Sequence, residues 1–379
     1  MRRLAVETDT RPSILLGLTG LNIQGGIASV NRTIVRVLDA KLQAGEIERV
    51  DRVLLQEDPQ RPSVPCARGE QRLARMHKSR FVWHCWRMIR KRRPDLVFFD
   101  HIGLSRMILA PLPSLPPKRY AVFIHGREIS DAHDERRFRA LDGSWRLLVN
   151  SEVTREIVRE RFPHLADRVR LTRLCVDPAR VAAWSALGDR EVRREPAALI
   201  VGRMWTEERG KGHGHLIEAW PRVLAVVPEA RLWIAGEGND RARLEAMAAQ
   251  RGIAHAVEFL GRISDEELHV RYQRASLLAM PSRQEGFGLV YAEAMWHGLP
   301  CLGSRADAAR CVIDHGETGW LVAYGDVPDI ADAVIRTLSD PTLVARMGEA
   351  GRRVVAQRFS YAQFESALLD ALDLASAER

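Results

Sequence analysis

Ala275-Ser276-Leu277-Leu278-Ala279-Met280-Pro281-Ser282-Arg283-Gln284-Glu285-Gly286-Phe287-Gly288-Leu289-Val290-Tyr291-Ala292-Glu293-Ala294-Met295 is the stretch from which the rest of this 379-residue chain can be read. Leu277 to Met280 is a short apolar run, as a buried strand requires, and it passes directly into Pro281-Ser282. Glycines at 286 and 288 make a tight turn where backbone can approach a ligand closely. Leu289 to Trp296 then reads as a helix, closed by Gly298-Leu299-Pro300. Strand, loop and helix in that order put the loop at the carboxyl end of a strand, where open α/β sheets bind ligands. The helix start offers free amides and a partial positive charge to a phosphate. Glu285 precedes this start, and Glu293 lies about 10 Å further along the axis at about 1.5 Å per residue. Carboxylates accept hydrogen bonds from sugar hydroxyls. The layout is therefore diol, phosphate, diol, the shape of a nucleotide sugar. A plain surface turn leading into an amphipathic helix uses the same residue types.

Outward from this segment, strand and helix patterns alternate. Ser13 to Leu18 reads as the first strand, followed by a loop, Thr19 to Gly26, and a helix from about Ile27 to Lys41. Arg52–Leu55, Leu96–Phe99, Tyr120–Ile124 and Arg146–Val149 are further apolar runs. A second series comprises Ala198–Val201, Arg231–Ala235, Val257–Leu260, Leu277–Met280 and Pro300–Gly303. Such alternation predicts βαβ units and parallel sheets, that is, an α/β protein. The length accommodates two domains. Asp177 to Pro196 is polar and has no strand pattern, so the hinge is expected there. The predicted division is 1–180 and 197–360, with 181–196 as linker.

Charge is unevenly distributed. Residues 1–100 hold 19 Lys and Arg against 11 Asp and Glu, or +8, which is the net charge of the whole chain. The densest piece, Arg68 to Arg93, carries ten cations opposed by Glu70 alone, interleaved with Val82, Trp83, Trp86, Met88 and Ile89. Basic residues with tryptophans fit a peripheral contact with an anionic membrane surface. They fit equally a crossover helix that packs its apolar side on a sheet and exposes its charges. No nucleic-acid motif accompanies the stretch, so nucleic acid is not an expected partner. No apolar run is long enough to span a bilayer, and Met1 to Glu7 has no signal-peptide pattern. The five cysteines (Cys66, Cys85, Cys175, Cys301, Cys311) are widely spaced and form no C-x-x-C pair, which favours reduced thiols and a cytoplasmic setting.

The E-x7-E spacing of Glu285 and Glu293, with Gly202-Arg203 and Lys211-Gly212 after the strand at 198–201, resembles the signature of retaining GT-B glycosyltransferases, in particular glycosyltransferase family 4. The resemblance spans most of residues 13–375; it is strongest over 198–325 and weak over 45–95. It implies two facing Rossmann-like parallel-sheet domains with an interdomain cleft, and a C-terminal helix, 361–379, that packs back on the first domain. Arg203 and Lys211 would then stabilise the departing nucleoside diphosphate, the one as a planar fork and the other as a point charge. The spacing between them is longer than in many relatives by the Thr206–Arg209 region. Glu285 would hold the donor hexose, Glu293 the ribose, and Gly286, Phe287, Gly288 and Leu289 the phosphates. Gly261-Arg262-Ile263 matches a turn that lines the base pocket, with Ile263 as a donor contact. Gly236-Glu237-Gly238 matches a family G-x-G.

In the first domain, Gln24-Gly25-Gly26-Ile27 resembles the family's Gly-Gly loop, making Gly25 and Gly26 donor contacts. His125 matches a histidine that faces the donor sugar, and Ser151 and Thr154 match a stretch that reads as a helix cap. Cys311 stands where relatives usually have glutamate, and Cys175 where many have glycine. The family uses no metal, and no Asp-x-Asp motif occurs here. His213 and His215 do not face one another on a helix, so no metal pair is expected. The expected activity is retaining, metal- and cofactor-free transfer of a hexose from a nucleotide-diphosphate sugar. The expected acceptor is a saccharide or polyprenyl-linked saccharide in bacterial cell-surface polysaccharide or glycolipid synthesis, at the inner membrane face. The alternatives are a nucleotide-sugar epimerase of the same shape and a non-catalytic nucleotide-sugar-binding protein.

Overall fold

Each apolar run read above as a strand lies in one of two parallel sheets. A computed structural model describes residues 11–23, 25–62, 64–110, 117–130, 138–188, 193–283 and 285–375. The chain start, Gln24, Gln284, part of the expected linker and residues 376–379 lie outside the described residues.

The first sheet contains β1 (Ser13–Leu18), β2 (Arg49–Leu54), β3 (Gln71–Leu73), β4 (Leu96–Phe99), β5 (Tyr120–Ile124), β6 (Arg146–Val149) and β7 (Val169–Leu171). Its order is β3-β2-β1-β4-β5-β6-β7. The second contains β8 (Ala197–Val201), β9 (Arg231–Ala235), β10 (Val257–Gly261), β11 (Leu277–Ala279), β12 (Cys301–Ser304) and β13 (Gly319–Val322), in the order β10-β9-β8-β11-β12-β13. Every strand pairing is parallel. Helices on both faces bury such strands, so the central ones carry almost unbroken apolar runs. This is the doubly wound Rossmann-like arrangement, present twice. In each sheet the chain order reverses at one place, between β1 and β4 and between β8 and β11. Three strands were not expected: β3, β7 and β13. All three are sheet edges, and β3 and β7 have only three residues each, so little burial pressure writes an apolar pattern into them.

The expected hinge needs correction. Asp177 accepts a hydrogen bond from the Ala179 amide at 2.9 Å, Pro178 occupies the first helical turn, and a helix runs from Pro178 to Leu187. Its Trp184 is 1% exposed and meets His297 at 4.7 Å and Trp296 at 5.6 Å between ring centroids. The helix Pro178–Leu187 is a packed part of the second unit. The two compact units are Met1–Asn150, Arg155–Thr172 and Glu365–Arg379 for the first, and Ser151–Thr154 and Arg173–Phe364 for the second. The division therefore falls at Thr172/Arg173 and not at 180–197. The C-terminal helix runs from Tyr361 to Ala371, and from Glu365 onward it groups with the first unit, where Asp373 lies 3.7 Å from both Arg119 and Arg146.

The basic stretch forms the helix Lys78–Arg92, which buries Phe81, Cys85, Met88 and Ile89 along one stripe. Arg80, Arg87, Arg90, Lys91 and Arg92 are exposed, as are Trp83 at 46% and Met76 at 64%. The crossover-helix reading is thus correct, and a cationic face with an outward tryptophan exists as well. All five cysteines are free thiols. Among the described residues no helix is long and apolar enough to cross a membrane. If 178–187 is a packed helix, Trp184→Ala should cost about 3–5 kcal/mol in denaturant unfolding of the second unit; a loss under about 1 kcal/mol would restore the linker description.

Candidate active site

The chain order of the second sheet reverses between β8 and β11, and the loops leaving these two neighbouring strands carry the residues singled out by sequence. The first loop runs from Gly202 to Gly212, the second from Met280 to Gly288. Glycine lets them close on each other. Gly212 has φ +94°, and a Cβ there would stand 2.6 Å from the Pro281 carbonyl oxygen. The Arg283 amide donates to the Gly210 carbonyl at 2.9 Å, completing the seam. A third turn, Gly236-Glu237-Gly238 after β9, packs beneath: the Met204 amide donates to the Glu237 carbonyl at 2.8 Å. A Cβ on Gly236 or Gly238 would overlap the Gly202 or Met204 carbonyl. This G-x-G is thus a requirement of close backbone approach.

The seam brings Lys211 and Glu285 together as an ion pair, with side chains 15% and 14% exposed. Behind it, the Glu285 amide donates to Asp307 at 3.1 Å, and the Ala308 amide donates to the Glu285 carbonyl at 3.1 Å. Gly286 accepts a hydrogen bond from Ser151 Oγ at 2.9 Å, and the Ser151 hydroxyl also receives the Thr154 amide at 3.2 Å, so the cap reading of that pair holds. Phe287 is buried edge-on against Phe359. Gly288, at φ +81°, starts the helix Leu289–Trp296, and a Cβ there would strike the Tyr291 ring. Among the described residues no acceptor is bonded to the amides of Gly288 or Leu289. The helix ends in a Schellman motif: Leu299 N–H to Ala294 and Gly298 N–H to Met295, both at 2.9 Å, with Gly298 at φ +67°.

Arg203 is not part of the Lys211–Glu285 pair. It is 65% exposed and bonds Glu208 at 2.6 Å. The extra residues between Arg203 and Lys211 form a 3-10 helix, Thr206–Lys211, which supplies that glutamate.

Glu293 is built differently. It is 5% exposed, paired with Arg180, and accepts from the Tyr272 hydroxyl at 3.1 Å. Burial pushes its carboxyl above the usual range, while the Arg180 charge and the Tyr272 hydrogen bond pull it back. Arg180 also bonds Asp265 at 3.0 Å and lies 4.6 Å from the Trp184 ring. A carboxylate has about four acceptor sites, so two remain on Glu293. Arg180 and Tyr272 were not found from sequence. The signal for Arg180 was the Asp177-Pro178 helix start, read instead as part of a hinge.

The remaining predicted residues lie on other elements, Ile263 in the second unit and Gly25, Gly26 and His125 in the first. Ile263 follows β10, the sheet edge two strands from β8, and is half-buried. In the first unit, Gly25 has φ +114° with open space around a would-be Cβ, and Gly26 begins the helix Gly26–Gln43. His125 follows β5. Its ring nitrogen Nε2 is 2.8 Å from the Asp100 carbonyl oxygen, which fixes a proton there, and its own carbonyl accepts from Asn150 Nδ2 at 3.0 Å. Asp100 in turn accepts from the Thr19 amide at 2.8 Å and from Asn31 at 2.6 Å. Among the described residues no three His, Cys, Asp or Glu side chains are grouped to hold a metal ion.

Comparison with known proteins gives a family match over residues 190–354, to a model described as glycosyl transferases group 1. The chain is 36% identical over 199 residues to a GDP-mannose-dependent alpha-(1-6)-phosphatidylinositol monomannoside mannosyltransferase of Mycolicibacterium smegmatis, covering 50% of each chain. It is 29% identical to a glycogen synthase of Mycobacterium tuberculosis, over 71% of this chain and 66% of that one. The chain thus spans half to two thirds of the length of these curated relatives. In structure it resembles a sucrose-phosphate synthase from Thermosynechococcus elongatus, with a TM-score of 0.75 at 22% identity, over 95% of this chain and 98% of that one. The fold is that of the GT-B glycosyltransferases.

Two histidines flank the site in neutral form. Burial holds His213, beside Lys211, at about 4 and His297 at about 3. His297 donates from Nδ1 to the Glu293 carbonyl at 2.7 Å and accepts from His269 at 2.9 Å. A histidine with a depressed value stabilises fully above its unfolded value near 6.5 and loses that contribution as pH falls toward the folded value. His297→Asn should therefore be less stable than wild type at pH 8, with the gap narrowing by about 2 kcal/mol between pH 6.5 and 5; denaturant midpoints at the two pH values measure it.

Proposed function

Because residues 190–354 are a glycosyl transferases group 1 domain, we propose that the chain transfers a hexose from a nucleotide-diphosphate sugar, with retention of configuration and without a metal. The acceptor in this reading is a saccharide or polyprenyl-linked saccharide of cell-surface polysaccharide or glycolipid synthesis. The observation that carries it is the Lys211–Glu285 pair at the reversal of the second sheet, beside a helix start with open amides.

In this site the donor diphosphate takes Lys211 and the amides of Gly288 and Leu289, and Arg203 leaves Glu208 to join it. Glu285 accepts from hexose hydroxyls, Glu293 uses its two remaining acceptor positions for the ribose, and Ile263 borders the base. From the first unit, Gly25, Gly26 and His125 are assigned donor contacts on the family resemblance. The bond from the anomeric carbon to the β-phosphate oxygen breaks with its electron pair on that oxygen. The acceptor hydroxyl bonds to the same face of the sugar and gives its proton to the departing phosphate. Lys211→Ala and Glu285→Gln should each lower kcat/KM by about 10²–10³-fold with an accepted donor. Proton NMR of the first product should show the donor's anomeric configuration; an inverted product, or near-normal turnover by Glu285→Gln, would overturn the assignment.

The exposed face of Lys78–Arg92, with Trp83 and Met76, supports a peripheral contact with an anionic membrane. Each cation near such a surface contributes about 1 kcal/mol, screened by salt. The protein should float with phosphatidylglycerol vesicles at low salt and not with neutral ones. The triple change Trp83→Ala, Arg87→Glu, Lys91→Glu should abolish flotation without lowering transfer to a water-soluble acceptor; indifference of wild type to vesicle charge would sink this part.

A further inference from the structure

Asp307, met above behind the Lys211–Glu285 pair, has been given no role in the chemistry, and nothing in the sequence pattern drew attention to it. It follows β12 and is 4% exposed. One carboxylate oxygen caps the short helix Ala308–Cys311 by accepting from the Ala309 amide at 3.0 Å. The other reaches across to the Glu285 amide at 3.1 Å, and Ser282 supplies a further hydrogen bond. The next residue reciprocates, since the Ala308 amide donates to the Glu285 carbonyl at 3.1 Å. The peptide of Glu285 is thus gripped from both sides by residues 307 and 308. An N-cap needs one carboxylate oxygen; the second oxygen is committed to the loop that carries the Lys211 partner.

We infer that Asp307 is a positioning residue of the donor site: its ionised carboxylate clamps the Glu285 backbone, holds the Glu285 side chain where it meets Lys211 and the donor hexose, and releases it on protonation. This rests on the donor-site reading above. The chemistry is that of acceptor count. An ionised carboxylate accepts from both amides and from the Ser282 hydroxyl at once. A protonated one carries an O–H on one oxygen; an amide N–H cannot receive it, and the amide which that oxygen held is left with a weak, neutral acceptor. The charged and titratable groups facing Asp307 are Glu285 from the loop, with Lys211 beyond it, and Tyr291 from the helix Leu289–Trp296. Tyr291 spends its hydroxyl proton on the Met280 carbonyl at 2.8 Å. Burial, aided by the Glu285 charge and opposed by the three hydrogen bonds, lifts the Asp307 carboxyl to about 7, so the clamp titrates near neutrality.

The test uses the whole chain and two variants, Asp307→Asn and Asp307→Ser. Both residues are good N-caps, so the Ala309 bond survives, but each has a single acceptor oxygen where Asp307 spends one on each amide. Binding is measured by calorimetry with UDP, GDP, UDP-glucose and GDP-mannose. Wild type should lose about tenfold in affinity for the sugar-bearing ligand between pH 8 and 6, as the competent fraction falls, with little change for the matching nucleoside diphosphate. Both variants should bind the nucleoside diphosphate as wild type does. They should bind the nucleotide sugar about tenfold more weakly at pH 8 and show no dependence on pH across that range. Equal weakening for both ligands, or a pH dependence unchanged in the variants, overturns the clamp and leaves the donor site standing. If wild type binds none of the four ligands, the donor-site reading fails and the clamp with it. Asp307→Ser decides the matter should Asp307→Asn not fold.

Discussion

The second unit is organised around a lysine and a glutamate held together in partial shelter from water. Neither side chain reaches the other from within its own loop. Lys211 belongs to the turn after β8 and Glu285 to the turn after β11, 74 residues later in the chain. They meet because these strands are neighbours and because Gly212 permits its loop to rest on the Pro281 carbonyl. Two charges at 15% and 14% exposure have lost much of their hydration, and their attraction offsets that loss. Under the proposed function, a donor with a diphosphate and a hexose would bind by exchange, phosphate oxygens replacing the carboxylate at Lys211 and sugar hydroxyls replacing the ammonium at Glu285. Most of the desolvation has already occurred, and the groups are already oriented, which is the condition under which fixed charges stabilise a departing anion well.

The two glutamates of the signature are therefore not equivalent. Glu285 sits on a loop, paired with a single flexible cation, and its backbone is held by neighbours. Glu293 sits inside a helix, paired with an arginine that is itself fixed by Asp265 and the Trp184 ring. The helix Leu289–Trp296 separates an exchangeable carboxylate from an anchored one. Its rigidity is secured at the far end by the Schellman motif and by His297, which donates back to the Glu293 carbonyl. The exchangeable end can change partners, and the fixed end keeps register. The aromatic and histidine cluster under Glu293 keeps that register, and for this reason the Pro178–Leu187 helix belongs to the site although it contributes no donor contact.

Central strands and the 289–296 helix were legible in the sequence nearly to the residue, because buried parallel strands write continuous apolar runs and glycine marks the turns between them. Edge strands β3, β7 and β13 were not, since one open side relaxes the demand for apolar residues. That Lys211 and Glu285 share one site was implied only by resemblance, and their pairing was not foreseen; spacing alone could not place loops so distant in sequence side by side. Arg180 was missed for an instructive reason: polar composition from Asp177 to Pro196 outweighed the capping signal of Asp177-Pro178. Asp307 was invisible, because a single buried carboxylate that bonds two backbone amides leaves no periodicity and no motif.

The charge asymmetry follows from the same economy of sites. Beyond residue 100 the cations and anions are equal in number, 38 of each, so that part of the chain brings no general excess of its own. The excess lies in the first hundred residues and is concentrated on the helix Lys78–Arg92. That helix meets two demands on different faces: Phe81, Cys85, Met88 and Ile89 satisfy the sheet, while the arginines project outward. A cationic surface acts over about 8 Å at physiological ionic strength. Its influence is therefore strongest on what approaches that face.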